Sequence, residues 1–333
     1  MSDAAPKGSP GIRRYALLLL KLFISSTLLY LLISRIGGSA ILGNVRLLNP
    51  LSFLGAVALY LLAAYLSTLR WKLLVPCTVG TRRLFSMYMI GSFFNTYLPG
   101  GIGGDAVKAY YLSREMIGRQ KSGSDRQCPA IEAPLTIAVA SVFMDRYIGF
   151  GALLLIGMTV FPFGISLLES ASSSVPVLWA IPSLLILFIA ATIVIFKFSW
   201  GRQVQFLQRA YQYFHTHTIR RDTLVTALLY SVALQLLGII AVYVLAKGLS
   251  LNISFLSLLV FLPIIIVFSM IPVSISGIGL REGAFVFLLG GIGVPPERSF
   301  TLSLVWFSSV FVAGLWGLFE YLRFKTVLGG KEE

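Results

Sequence analysis

Apolar residues run in long stretches along most of this chain, and short polar segments separate them. A helix that crosses a bilayer needs about 20 mostly apolar residues, since each residue advances the helix by about 1.5 Å. The pattern therefore predicts an all-α fold, a polytopic integral membrane helix bundle with about six full spans. The predicted spans are 15–36, 50–69, 132–163, 177–197, 222–246 and 300–322.

Two further apolar stretches are interrupted by glycine and proline. Residues 84–98 stop at Pro99-Gly100-Gly101, and residues 253–272 run into the segment from Pro272 to Gly277. A short second apolar piece follows each break, which predicts helical hairpins over 84–113 and 253–292. A helix broken at membrane depth is tolerated only where it is buried in protein or lines a cavity.

Charge decides how these pieces thread through the bilayer. The chain has 57% hydrophobic and 12% charged residues, with 27 Lys and Arg against 13 Asp and Glu. Soluble domains carry about 25% charged residues, so the low charged fraction indicates a membrane protein. In such a protein the excess of positive charge points to membrane topology and anionic lipid, and no nucleic-acid partner is expected. If both hairpins are re-entrant, 19 Lys and Arg are cytoplasmic and four are outside; if 84–113 crosses once, the counts are nine and 14. The positive-inside rule favours two opposed re-entrant hairpins and cytoplasmic termini.

This threading also sets the domain limits. It predicts a cytoplasmic N-terminal tail over 1–14, one transmembrane domain over 15–325 and a cytoplasmic C-terminal tail over 326–333. Residues 200–221 mix aromatic residues with Arg and Gln, which suits an interfacial amphipathic helix or a membrane-hugging linker.

The first glycine-rich break is a candidate binding site for a lipid headgroup. Glycines let the backbone approach a ligand closely, and a helix starting near Asp105 would direct its N–H groups and positive dipole end at the break. Lys108, one turn further on, would add a point charge. The alternatives are an N-cap role for Asp105 and close helix packing by the glycines. The candidate residues here are Asn95, Gly101, Gly103, Gly104, Asp105 and Lys108.

The second break repeats this pattern. Gly101-Ile-Gly103 and Gly277-Ile-Gly279 coincide at an offset of 176 residues, as an inverted repeat or chance would give. Arg281 could hold a phosphate through two hydrogen bonds; alternatively it pairs with Asp105, Asp145 or Glu282 and locks the hairpins together. The candidate residues are Ser276, Gly277, Gly279, Arg281 and Glu282.

Other charged residues stand near or inside apolar stretches. The stretch 132–163 is too long for one perpendicular span, so its part before Asp145-Arg146 is predicted to be tilted, broken or interfacial. Asp145 and Arg146 form a possible ion pair or coupling site. Arg70-Trp71 is interpreted as an interface anchor, and Glu320 is expected to be solvated. No metal site, cofactor or catalytic residue is predicted.

The two glycine-rich blocks, Asn95 to Arg114 and Ser274 to Ala284, resemble the transmembrane region of lysylphosphatidylglycerol synthase, a flippase-like membrane family of bacteria and archaea. The resemblance covers roughly 15–325. It implies a region that moves aminoacylated phosphatidylglycerol between leaflets of a prokaryotic cytoplasmic membrane. In the full-length synthases a separate soluble domain performs the aminoacyl transfer. The present sequence ends shortly after the last predicted span, so a standalone region without that domain is expected.

These observations favour a lipid translocator over an enzyme. The lipid would be an anionic or aminoacylated phospholipid, or a polyprenyl-phosphate-linked lipid. The alternatives are a membrane enzyme of lipid-headgroup synthesis and an accessory subunit that serves a separate synthase or glycosyltransferase. The expected partners are membrane lipids with anionic headgroups.

Overall fold

The described part of the chain is helical. The computed structural model describes residues 10–97, 103–122, 133–168, 175–197, 221–271 and 273–329, and no strand occurs in these ranges. The all-α prediction is therefore confirmed. The helices are α1 Pro10–Ile36, α2 Gly38–Arg46, α3 Pro50–Lys72, α4 Thr81–Tyr97, α5 Gly103–Ser122, α6 Pro134–Leu168, α7 Val175–Leu178, α8 Ala180–Lys197, α9 Arg221–Gly248, α10 Phe255–Met270, α11 Leu280–Gly290 and α12 Pro296–Gly329.

Five of the described helices are long and apolar enough to cross a membrane: α1, α3, α6, α9 and α12. They match five of the six predicted spans. The remaining predicted span, 177–197, contains α8, whose apolar part covers 180–194 and is shorter. Most of the predicted interfacial helix over 200–221 lies outside the described residues.

Helix α6 is one continuous helix from Pro134 to Leu168, so of the three alternatives given for the part before Asp145 the structure excludes a break. Its 35 residues correspond to about 52 Å, more than the roughly 30 Å hydrocarbon core. The helix accommodates Pro162 within its length. Asp145 and Arg146 therefore project from the first half of a long apolar helix, where their charges need partners.

The core lies between α3, α6, α9, α10, α11 and α12. Fully enclosed apolar side chains such as Val242, Phe261 and Phe285 form it. Side-chain caps fix two of the helix starts: Asn49 accepts the Leu51 N–H at 2.9 Å, and Ser254 accepts the Ser257 N–H at 3.0 Å. Such caps satisfy amides that lack a partner within the helix.

The first hairpin, α4 and α5, lies along the C-terminal half of α12. Arg83 lies over the Phe324 ring at 5.4 Å, and a Cβ on Gly317 would lie 2.0 Å from the Met89 carbonyl oxygen. At the tip, Tyr97 packs on Phe311 with ring centroids 4.1 Å apart. Phe311 lies near the middle of the apolar segment Pro296–Phe324. The break between α4 and α5 is thus level with the middle of a helix long enough to span.

The second hairpin, α10 and α11, reaches the same level from the other end of α12. The Arg281 guanidinium lies 4.3 Å from the centroid of Phe307, and Phe285 packs on Trp306. The rings of Phe307 and Phe311 are 6.2 Å apart. The two breaks therefore flank adjacent turns of α12.

Candidate functional site

Close approach of two backbones builds the first break. A Cβ on Gly104 would lie only 1.8 Å from the Gly91 carbonyl oxygen, so only glycine fits between α4 and α5 at this point. The Gly104 N–H donates to Asn95 Oδ1 at 2.9 Å, and Asn95 Nδ2 donates to Asp105 Oδ1 at 3.2 Å. The first amides of α5 are thus tied to α4. Gly103 is the first residue of α5, and Gly101 lies outside the described residues.

Asp105 joins the hairpin to α6. Arg146 donates to both of its oxygens, from Nε to Oδ2 at 3.1 Å and from Nη2 to Oδ1 at 3.0 Å. Two parallel bonds of this kind are the strongest geometry for a guanidinium and a carboxylate. Lys108 Nζ lies 3.8 Å from Asp105 Oδ1 on the other side. The carboxylate therefore bridges two cations on different helices.

Lys108 is enclosed rather than open to a ligand. The residue is 2% exposed, and its ammonium lies 4.3 Å from the Tyr88 ring centroid and 5.1 Å from that of Trp71. Aromatic faces attract a cation and partly replace its lost hydration. In this structure the Lys108 ammonium pairs with Asp105 and is not accessible to a ligand.

A second ion pair involves Asp145, the residue directly before Arg146 in α6. Arg70 Nε donates to Asp145 Oδ1 at 2.7 Å, and Arg70 Nη1 donates to Ser231 Oγ of α9 at 2.8 Å. Arg70 and Asp145 are buried, and the neighbouring Trp71 is fully enclosed. The interpretation of Arg70-Trp71 as an interface anchor is therefore wrong. The carboxylate of Asp145 in an apolar stretch was the signal that could have found Arg70, because a buried carboxylate requires a cation.

A cavity of about 310 Å³ opens beside these pairs. Helices of both hairpins border it, through Tyr88 of α4 and Met270 of α10. The side chain of Arg146 is 52% exposed, whereas that of Arg70 is 7% exposed. Arg146 is therefore the more accessible of the two cations. The polar and aromatic side chains of its wall are Tyr60, Ser67, Arg70, Tyr88, Arg146, Phe150, Gln235, Trp306 and Ser309.

The second break has positive φ angles at three of the candidate positions: Ser276 at 51°, Gly277 at 76° and Gly279 at 88°. It rests on α1, where Ser25 Oγ accepts the Ile275 N–H at 2.9 Å. A Cβ on Gly279 would meet Leu28 at 2.7 Å. These contacts fix a backbone conformation that L-residues rarely adopt.

Glu282 occupies the start of α11. Its Oε2 accepts the Gly279 N–H at 2.6 Å, and its Oε1 accepts from Arg281 Nε at 3.0 Å. Arg281 was predicted to pair with Asp105, Asp145 or Glu282, and in the structure it pairs with Glu282. Ser303 of α12 lies 3.3 Å from both Arg281 Nε and Glu282 Oε1.

The structure brings the predicted residues together in two clusters. Asn95, Gly104, Asp105 and Lys108 join Arg146 beside the cavity, and Arg281 with Glu282 packs against α12. Helix α5 begins at Gly103 and α11 at Leu280, an offset of 177 residues, so the two helix starts follow the 176-residue offset of the glycines to within one residue. Among the described residues no group of three or more His, Cys, Asp or Glu could hold a metal ion.

Comparison with known proteins extends this description. The family model described as the lysylphosphatidylglycerol synthase TM region matches residues 18–317. A UPF0104 membrane protein of Methanothermobacter thermautotrophicus is 25% identical over 301 residues, which cover 81% of this chain and 84% of the relative.

Proposed function

Because the chain belongs to the family of the lysylphosphatidylglycerol synthase transmembrane region, we propose that this integral multi-pass membrane protein is a lipid translocator. Its cargo is an anionic or aminoacylated phospholipid, or a polyprenyl-phosphate-linked lipid. The membrane is the cytoplasmic membrane of a prokaryote, and both termini lie in the cytoplasm. The family membership supports the location in a membrane, and the cavity beside Arg146 supports the binding of an anionic headgroup.

The half-exposed guanidinium of Arg146 carries this proposal. A charge at the bilayer centre costs about 2.5–3.5 kcal/mol on insertion scales, so a cation inside a membrane helix is a functional candidate by default. Arg146 lines a cavity that also offers Gln235 and the hydroxyl-bearing ring of Tyr60. A guanidinium binds phosphate through two hydrogen bonds. The cavity therefore suits a phosphate-bearing headgroup whose acyl chains stay in lipid.

Exchange of partners at Arg146 provides a route for the headgroup. An arriving phosphate competes with Asp105 for the same guanidinium. When Asp105 is displaced, its carboxylate keeps Lys108 and Asn95 as neighbours. The displaced carboxylate is therefore never left without a partner, which lowers the cost of opening the pair.

The position of the breaks supports alternating access. Both lie level with the middle of α12, and the two hairpins approach that level from opposite ends. Small movements of either hairpin along α12 would open the cavity toward one side or the other. Broken helices around a midplane site serve this purpose in secondary transporters.

A liposome assay with labelled phosphatidylglycerol tests the proposal. Arg146→Gln removes the accessible cation, and translocation should fall about tenfold or more, as expected when a hydrogen bond to a charged group is lost. Arg298→Gln is the matched control, because Arg298 is exposed in the first turn of α12 and does not line the cavity. The rate is measured as the loss of fluorescence when dithionite quenches label that has reached the outer leaflet.

Two further variants in the same assay separate the clusters. Lys108→Met and Arg281→Gln test the headgroup-binding residues predicted from the sequence, at equal protein density in the liposomes. Parent-like translocation by Arg146→Gln would reject the cavity as the headgroup site. Parent-like translocation by Arg281→Gln, with Arg146→Gln inactive, would assign the second break a structural role.

A further inference from the structure

We infer that a second anion-binding pocket, specific for a phosphate group, lies at the open end of the first hairpin. The pocket has a volume of about 380 Å³ and lies between the start of α4, the end of α5 and the end of α12. It shares no lining residue with the cavity beside Arg146. The side chains that carry the argument are Arg82, Arg83, Arg119, Glu320, Arg323 and Phe324.

Two of the four arginines are held in place by one carboxylate. Glu115 Oε2 lies 2.7 Å from Arg83 Nε, and Glu115 Oε1 lies 3.0 Å from Arg119 Nε. Arg119 Nη1 also donates to the Thr78 carbonyl oxygen at 3.1 Å. Because Glu115 takes the Nε edge of Arg83, the two terminal nitrogens of that guanidinium can address a ligand. The Phe324 ring, 5.4 Å from the Arg83 guanidinium carbon, limits the movement of this side chain.

The other two arginines are exposed at the mouth of the pocket. Neither Arg82 nor Arg323 forms an ion pair within the ranges that the structure describes. One carboxylate, that of Glu320, lies in the pocket wall and is 7% exposed. The wall therefore contains four guanidiniums and one carboxylate. A second carboxylate, that of Glu115, pairs with two of these guanidiniums. The pocket keeps an excess of positive charge that a bound anion would neutralise.

Size and chemistry select a phosphate group. Ligand pockets of about 300–1,000 Å³ hold small molecules or headgroups, and planar guanidiniums match the oxygens of a phosphate. Basic pockets between membrane helices on the cytoplasmic side bind lipid headgroups. All four arginines belong to segments that the charge count assigns to that side. The ligand is a phosphate monoester or diphosphate, carried either by a cytoplasmic-leaflet lipid or by a soluble compound.

Binding to the full-length protein in phosphatidylcholine nanodiscs tests this inference. The lipid probe is phosphatidic acid, doped into the nanodiscs and counted by native mass spectrometry. The soluble probe is inorganic phosphate, titrated by calorimetry against nanodiscs without the lipid probe. Arg82→Gln with Arg323→Gln should weaken binding about tenfold, since two charged hydrogen-bond donors are lost.

Two further variants sharpen the result. Arg221→Gln is the matched control, because Arg221 is an exposed arginine on the same predicted face but outside the pocket, and binding should stay unchanged. Glu320→Gln removes the opposing carboxylate and should strengthen binding.

The two probes distinguish the source of the phosphate. A loss confined to phosphatidic acid assigns the pocket to a lipid headgroup, and a loss confined to inorganic phosphate assigns it to a soluble ligand. Unchanged binding of both probes, or an equal loss with Arg221→Gln, overturns the inference. None of these outcomes depends on translocation, which concerns the cavity beside Arg146.

Discussion

Charged side chains within the helices are arranged so that each carboxylate beside the cavity has a cation from another helix. Asp145 of α6 faces Arg70 of α3, and Asp105 of α5 faces Arg146 of α6. A buried pair contributes little net stability, but removal of one partner leaves an uncompensated charge. The pairs therefore specify which helices are neighbours more than they stabilise the bundle.

The pair between Arg70 and Asp145 gives a prediction at this scale. Arg70→Gln and Asp145→Asn should each lower the free energy of unfolding by about 3–5 kcal/mol, because one buried charge remains alone. The double variant should be more stable than either single variant. Thermal unfolding in detergent measures the order of stability of the three variants. A double variant that loses as much stability as the two single variants together would contradict the pairing.

Sequence reasoning at the residue scale identified the intramembrane charges of α6 but not their partners. Asp145 and Arg146 stand out within an apolar stretch, so their need for counter-charges was predictable. Arg70 lies at a helix end, where an arginine more often reaches the interface, and its inward orientation depends on packing against α6 and α9. Glu320 was expected to be solvated and is buried instead, because the arginine-lined pocket forms only when α4, α5 and α12 meet.

Glycines set the spacing of the helices around α4. Gly104 of α5 and Gly317 of α12 each face a backbone carbonyl oxygen of α4, with a Cβ distance of 1.8 Å and 2.0 Å respectively. Two helices thus approach α4 more closely than any larger residue permits. Such small-residue contacts are a principal source of helix association in membranes.

Two glycines of the same helix give opposite predictions. Gly104→Ala should destabilise the protein by at least about 2 kcal/mol, since a rigid backbone must move. Gly118→Ala should stabilise it by up to about 1 kcal/mol, because Gly118 has open space around it and alanine favours a helix. Apparent melting temperatures of the two variants provide the measurement. Equal shifts in the same direction would show that α4 and α5 are not in tight contact.

The breaks themselves were predictable from the sequence, and their spatial relation was not. Glycine and proline end α4 and α10 where the apolar runs stop, so the helix limits follow from composition alone. The meeting of both tips on neighbouring turns of α12 depends on Phe307 and Phe311. Aromatic residues are common in membrane helices, so their position carried no signal without coordinates.

At the scale of the whole molecule, charge distribution and geometry support the same threading. Arg83 pairs with Glu115, and Arg119 donates to Thr78, so the start of α4 and the end of α5 lie side by side. A hairpin whose ends adjoin and whose tip is level with the middle of a spanning helix returns to the side it started from. This geometry favours the re-entrant threading that the positive-inside rule prefers.

Cysteine labelling in intact cells tests this threading. Gly80→Cys and Gly118→Cys place thiols at exposed positions on either side of the first hairpin, and Asn252→Cys places one between α9 and α10. A membrane-impermeant maleimide should label only Asn252→Cys above the background of the unsubstituted chain. Labelling of Gly118→Cys but not of Gly80→Cys would show instead that α4 and α5 cross the membrane once.

The contact between Tyr97 and Phe311 also has a consequence for biogenesis. These residues are separated by 214 positions along the chain, so the ribosome completes the first hairpin long before it delivers the helix that covers it. Until α12 has been synthesised, the aromatic tip and the glycine-lined flank of that hairpin lack the neighbour that covers them on this side. We therefore expect the insertion machinery, or bound lipid, to cover this face of the hairpin until α12 is in place.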